Sequence, residues 1–276
     1  MGGIVWLASY PKSGNTWMRA FLLNLLYGKG EAIDINSLYQ HMFGDAEISA
    51  YEKLAPGEIY DRPTVQRLRP LVHRAMARSS PRPIFVKTHN ALMEDEGHPL
   101  VAMDATIAAI YIVRNPLDVV ISYSHHNAVS IDAAIESMGR RGSTTLGDAT
   151  HVYEVYGSWS ENVLSWTQRQ HPGLHVVRYE DMLKAPTRSF GGVVKFLGLD
   201  VPRAHVEKAI KLSSFKVLKE QERRHGFVER PAHAAAFFRE GKAGQWRTVL
   251  TREQVAAIVS AHREQMTRFG YVPEGY

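Results

Sequence analysis

Residues 4–28 read "IVWLASYPKSGNTWMRAFLLNLLYG". The apolar run Ile4–Ala8 is short and is bounded by Ser9, Tyr10 and Pro11, so it fits a buried strand. After Gly14, the apolar residues Trp17, Met18, Phe21, Leu22, Leu25 and Leu26 recur at helical spacing until Gly28 ends them. A strand that turns this tightly into a helix aims several backbone N–H groups and the positive helix end at one point, which suits an anion. Gly14 lets the backbone approach that anion. Ser13, Asn15 and Thr16 add side-chain donors, and Lys12 adds a charge. A triphosphate loop would read G-x-x-x-x-G-K-[ST], with its Lys after the second Gly. Here Lys12 precedes Ser13 and Gly14, and the upstream Gly is missing. Taken alone, the loop fits both an N-capped helix with a surface lysine and a cradle for a phosphate-like group.

The same alternation continues along the chain. "PIFVKTH" (Pro83–His89) reads as a strand after a helical stretch over Thr64–Ser79, and "TIAAIYIVR" (Thr106–Arg114) and "LHVVRYE" (Leu174–Glu180) read as two more. Asn115 is placed to cap a helix that Pro116 begins. "YGSWSENVLSWTQRQ" is periodic, with Trp159 and Trp166 as core residues. A final helix opens on a Thr251/Gln254 capping box and closes at Gly270. Near-continuous apolar strands alternating with amphipathic helices predict an α/β fold. Its central, mainly parallel sheet carries helices on both faces, with the phosphate-type loop after the first strand. With no internal repeat and no Pro/Gly/Ser-rich linker, one domain over residues 1–276 is expected. Residues 41–62 and 128–150 carry no periodic signal and are rich in Gly, Asp, Ser and Thr. They fit walls of an acceptor site or plain surface variation.

Composition narrows the function classes. The chain has 276 residues, 45% of them hydrophobic, with a formal charge of +5. So modest an excess suits an anionic ligand, and no aromatic-interleaved basic tract predicts a nucleic-acid partner. There is no cysteine, which removes disulfides and thiolate metal sites. No run approaches the roughly 18 apolar residues of a membrane-spanning helix, and no signal-peptide pattern is present, so a cytoplasmic protein is expected. Neither His125–His126 nor "EDM" has ligand spacing, so no metal is expected.

"YPKSGNTW" followed by a hydrophobic helix resembles the 5′-phosphosulfate loop of the sulfotransferase family, whose enzymes use 3′-phosphoadenosine 5′-phosphosulfate (PAPS) as donor. The resemblance continues in order. "VKTHN" is similar to the family's catalytic strand end, and "VRNPLDVVISYSHH" to its 3′-phosphate signature. "VVRYEDM" resembles its later strand with an adenine-side Tyr, and "LSSFKVLK" its adenine segment. "FFREGKAGQWR" resembles the loop that closes over the 3′-phosphate. The resemblance implies His89 as general base, with Lys12 on the leaving phosphate and Lys87 beside the transferring group. It implies Lys12, Ser13, Gly14, Asn15 and Thr16 around the 5′-phosphosulfate. Arg114, Ser122, Arg239 and Gly241 would hold the 3′-phosphate, and Trp17, Tyr179, Ser213 and Phe215 the adenine. PAP is the implied product.

Two departures stand out. Glu240 occupies a position where relatives carry a basic residue, which weakens the 3′-phosphate site unless the carboxylate points outward with Lys242 compensating. Asn15 stands where many relatives have Thr. The expected function is transfer of a sulfuryl group to a hydroxyl, or less favourably an amine, of a small organic acceptor, by a monomer or homodimer. Phe43, Tyr51 and Tyr60 are candidates to line the acceptor pocket. A kinase with an atypical phosphate loop and a nucleotide-binding protein without chemistry are the other readings.

Overall fold

The computed structural model describes residues 2–276. Its strands are β1 (Ile4–Ser9), β2 (Met42–Gly44), β3 (Ile84–Thr88), β4 (Glu94–Asp95), β5 (His98–Pro99), β6 (Thr106–Val113) and β7 (Leu174–Arg178). Five of them form a central parallel sheet in the order β2-β3-β1-β6-β7, and β4 and β5 make a separate small ladder. Every residue of the central strand β1 is buried, as an apolar run covered on both faces requires. β1 and β3 pair in parallel with Leu7 opposite Lys87 and Ala8 opposite Thr88. This register brings the chain out of both strands at the same sheet edge, where open α/β sheets carry their ligands.

The chain divides into two compact units. The first runs up to Pro11 and adds Met42–Tyr111 and Ser137–Val176. Within it, the helix Arg62–Arg78 is capped by Asp61, whose side chain accepts from Thr64 N–H. The helix Trp159–Thr167 has a reciprocal capping box between Ser158 and Glu161, and Trp159 and Trp166 are both buried. Val65, Leu68, Val72, Leu100, Val152 and Val155 pack around Tyr51. Tyr51 is fully enclosed there, so the expectation that it lines an acceptor pocket is corrected: it is a core residue.

The second unit comprises Lys12–His41, Ile112–Glu136 and Val177–Tyr276. It holds the helices Asn15–Tyr27, Pro116–Asn127, Phe215–His225 and Arg252–Arg268. Asn115 caps the second of these by accepting from Leu117 N–H, and Thr251 and Gln254 form the expected capping box on the last. Phe21 and Phe190 meet with ring centroids 4.3 Å apart, packing the first helix onto the body of the unit.

The stretches without periodicity are partly ordered elements. Residues 41–62 contain β2 and the helix Ile48–Leu54, and residues 128–150 contain the helix Ile131–Gly139. β2 is three residues long and ends on Gly44. A segment that short shows no alternation, and only its pairing with β3 over Met42–Phe85 to Gly44–Lys87 makes it a strand.

Candidate active site

The first unit carries the expected site residues Lys87 and His89, the latter one position past the end of β3. Its Nδ1 lies 2.8 Å from the Ser9 carbonyl oxygen. A carbonyl only accepts, so Nδ1 carries the proton, and a neutral ring so held would have its lone pair on Nε2. The backbone is pinned on both sides: His89 N–H donates to Glu154 Oε1 at 3.2 Å, and Asn162 Nδ2 donates to the His89 carbonyl at 3.0 Å. Asn162 has no exposure, and its side-chain oxygen accepts from Tyr111 OH at 2.8 Å. Lys87, two residues earlier, is half-buried. Glu154 and Asn162 carry no sequence signal, because their partners are 65 and 73 residues away.

Beneath this strand end sits a buried carboxylate, Asp45. It accepts from Thr88 Oγ1 at 2.8 Å and from Asn90 Nδ2 at 2.9 Å, so it holds the residues on either side of His89. Burial, reinforced by Glu154, raises its pKa from 3.8 to about 6 against the opposing charge of Arg69. The folded protein therefore binds a proton between pH 4 and 6 that the unfolded chain releases. The stabilisation that Asp45 contributes by protonation is fully present below its unfolded pKa and is lost as pH rises through about 6. Between pH 4 and pH 7 the wild type is expected to lose about 2–3 kcal/mol relative to Asp45→Asn. Urea unfolding of both proteins at the two pH values checks this; a constant difference would remove Asp45 from the titration.

In the second unit the phosphate-type loop is closed around Gly14, which has φ 106 and caps the helix Asn15–Tyr27 with no side-chain hydrogen bond and no acidic residue in the first turn. A Cβ at Gly14 would lie 2.7 Å from the Tyr179 ring. Trp17 meets Tyr179 and Phe190 edge to face, with centroids 5.9 and 5.4 Å apart. Tyr179, expected on a strand, instead opens the helix Tyr179–Lys184. The Arg114 guanidinium stacks 4.3 Å from the Tyr179 centroid. Its Nη1 donates to the Lys12 carbonyl at 2.9 Å and its Nη2 to the Lys242 carbonyl at 3.4 Å. Thus one arginine ties the loop, the Tyr179 ring and the late loop together.

Lys12 Nζ stands 3.2 Å from His126 Nδ1 and 4.0 Å from the Phe237 centroid. Thr16 Oγ1 accepts from Arg19 at 3.2 Å, and Arg19 forms a bidentate pair with Glu229 at 2.7 Å. Asn15 is buried and Ser122 half-buried. Ser213 is enclosed, and its hydroxyl donates to the Ala209 carbonyl at 2.9 Å. Gly241 sits against Phe215, where a Cβ would come within 2.3 Å of the ring. Arg239 is half-buried, and Lys219 donates to its carbonyl at 2.7 Å. Glu240 pairs with Lys242 at 3.3 Å, with both side chains largely exposed. The carboxylate therefore faces outward and is neutralised, as its place in the loop demands.

The turn at Gly14 carries unmet hydrogen-bonding capacity. Ser13 Oγ, Trp17 Nε1 and Arg114 Nε are buried and have no hydrogen-bond partner among the described residues. A buried donor left unmade costs about 1–3 kcal/mol; three of them around one glycine turn amount to a site shaped for acceptors. Among the described residues no helix is long and apolar enough to cross a membrane.

The sulfotransferase domain family matches residues 4–270. Sulfotransferase 1A1 of Canis lupus familiaris is 26% identical over 273 residues, covering 96% of this chain and 83% of that protein. The corresponding protein of Rattus norvegicus is 28% identical over 270 residues, covering 95% and 84%. Cytosolic sulfotransferase 1 of Danio rerio is 27% identical over 267 residues, covering 94% and 81%. A mouse sulfotransferase complexed with PAP shares the fold at a TM-score of 0.63 and 23% identity, over 96% of this chain and 85% of that one. Retinol dehydratase in complex with androsterone and PAP does so at 0.65 and 21%, over 95% and 80%.

Proposed function

Because the chain belongs to the sulfotransferase family and is a PAPS-dependent enzyme, we propose that it sulfates a hydroxyl, or less readily an amine, of a small organic acceptor, with His89 as general base. The observation that carries the reading is the turn at Gly14, where Ser13 Oγ and Arg114 Nε are buried donors without partners among the described residues. PAPS supplies an activated sulfuryl group and leaves as PAP. Lys12, Ser13, Gly14, Asn15 and Thr16 would hold its 5′ end. Arg114, Ser122, Arg239 and Gly241 would hold the 3′-phosphate, the Arg114 fork matching phosphate oxygens. Trp17, Tyr179, Phe215 and Ser213 would receive the adenine.

A neutral hydroxyl is a poor nucleophile, so a base within hydrogen-bond reach of it is required. With Nδ1–H committed to the Ser9 carbonyl, His89 Nε2 takes the acceptor's proton. Lys87 lowers the cost of charge near the transferring group, and Lys12 stabilises charge on the departing phosphate oxygen. A kinase reading gives way to family membership. We further propose that residues 1–276 act as one sulfotransferase domain, in the cytoplasm, as a monomer or homodimer.

The 3′-phosphate assignment has a direct test. The wild-type protein is expected to bind PAP at least about tenfold more tightly than AMP, as one or two added charge-assisted hydrogen bonds dictate. Calorimetric titration with both nucleotides decides it, and equal affinities would overturn the roles of Arg114, Ser122 and Arg239.

A further inference from the structure

The late loop that carries Arg239 and Gly241 has no regular secondary structure between the helices Phe215–His225 and Trp246–Val249. Its backbone is nevertheless tied at both ends by buried carboxylates. Glu222 accepts from Phe237 N–H at 2.6 Å and from Phe238 N–H at 2.9 Å. Asp118 accepts from Gly244 N–H at 2.6 Å and from Trp246 N–H at 3.2 Å. The two side chains are only 5% and 2% exposed, so each carboxylate spends both oxygens on loop amides away from water.

Cations hold the same strap by its carbonyls. Lys219 donates to the Arg239 carbonyl and Arg114 to the Lys242 carbonyl. Lys219 and Glu222 are three residues apart on one helix, and Asp118 and Ser122 four apart on another, so each pair shares a helix face. Asp118 thereby brings the loop's end within one helical turn of Ser122, and Glu222 fixes Phe237, the ring beneath the Lys12 ammonium.

We infer that Glu222 and Asp118 are positioning residues that string the loop Phe237–Trp246 taut, so that Arg239 and Gly241 are presented to the 3′-phosphate of the donor nucleotide. This rests on the 3′-phosphate reading given above. The carboxylates touch no ligand; they act through four loop amides. A nucleotide lacking the 3′-phosphate makes no use of Arg239 and Gly241, so its affinity is independent of Asp118; Glu222 reaches it only through Phe237 and Lys12.

Glu222→Gln and Asp118→Asn each replace one accepting oxygen with a donor that faces an N–H. Titrating each full-length variant with PAP and with AMP is expected to show PAP affinity about tenfold weaker, one charge-assisted bond's worth, with AMP affinity unchanged in Asp118→Asn and weakened by less than that of PAP in Glu222→Gln. Loss of affinity for both nucleotides in proportion would make the two residues merely structural and overturn the inference, as would retention of the full preference for PAP. If the wild type itself binds the two nucleotides equally, the 3′-phosphate reading fails and takes the inference with it. Should a variant not fold, amide hydrogen exchange on the wild type without nucleotide gives a second test. The amides of Phe237, Phe238, Gly244 and Trp246 are expected to exchange far more slowly than that of Ala243. Uniform exchange across the loop would overturn the tether.

Discussion

Replacing His89 with Ala is expected to lower kcat by about 10²–10⁴-fold, the usual contribution of a positioned general base, while leaving PAP affinity nearly unchanged. The split follows from the role proposed for the imidazole. The ring bonds to the Ser9 carbonyl, and the His89 backbone bonds to Glu154 and Asn162. The proposed role gives the imidazole the acceptor's proton alone, so its removal is expected to leave nucleotide affinity in place. His89→Gln should be as inactive as the alanine variant, because an amide has no basic lone pair to take a proton. Single-turnover sulfate transfer from labelled PAPS, alongside calorimetry with PAP, measures both quantities. An alanine variant with wild-type turnover would falsify the base assignment, and one that loses PAP affinity equally would place His89 in nucleotide binding.

The contrast between what the sequence discloses and what it conceals follows the range of the interactions. Ile4–Ala8 and the helix after Gly14 are legible because periodicity is a local property, and the cap residues Asn115 and Thr251 act within three positions of themselves. Lys12, His89 and Arg114 stand at strand ends, where a short motif and an element boundary coincide. The side chains that hold those residues leave no such trace. Asp118 binds amides 126 and 128 residues away, and Arg19 meets Glu229 across 210 residues. In a sequence, a buried carboxylate looks like any surface one; only its partners distinguish it. The same holds for β2, which is a strand by virtue of β3 and not of its own three residues. Tyr51 shows the reverse error. An aromatic residue in a stretch without periodicity looked like a pocket wall, and a helix with no strong pattern of its own carries it into the core.

Lys12 offers the second large effect, and its backbone makes the test sharper. It has φ 66, in the left-handed region, where a side chain with a Cβ costs about 1–2 kcal/mol over glycine. The loop bears that cost at the residue whose ammonium is proposed to stabilise the departing phosphate oxygen, with Arg114 holding the Lys12 carbonyl in place. Strain retained at a site points to a role for the side chain that bears it. Lys12→Gly relieves the strain and removes the charge together, so stability and activity should move in opposite directions. The variant is expected to melt at the wild-type temperature or above it, while kcat falls by about 10²–10³-fold, the usual cost of deleting one group that stabilises developing charge. Lys12→Met keeps the strain and the bulk over Phe237 but not the charge; it should lose the same turnover without any gain in stability. Agreement between the two variants in kcat, with divergence in melting temperature, isolates the ammonium as the functional part. If Lys12→Gly retains turnover, the charge is dispensable and the strained turn serves only to shape the loop.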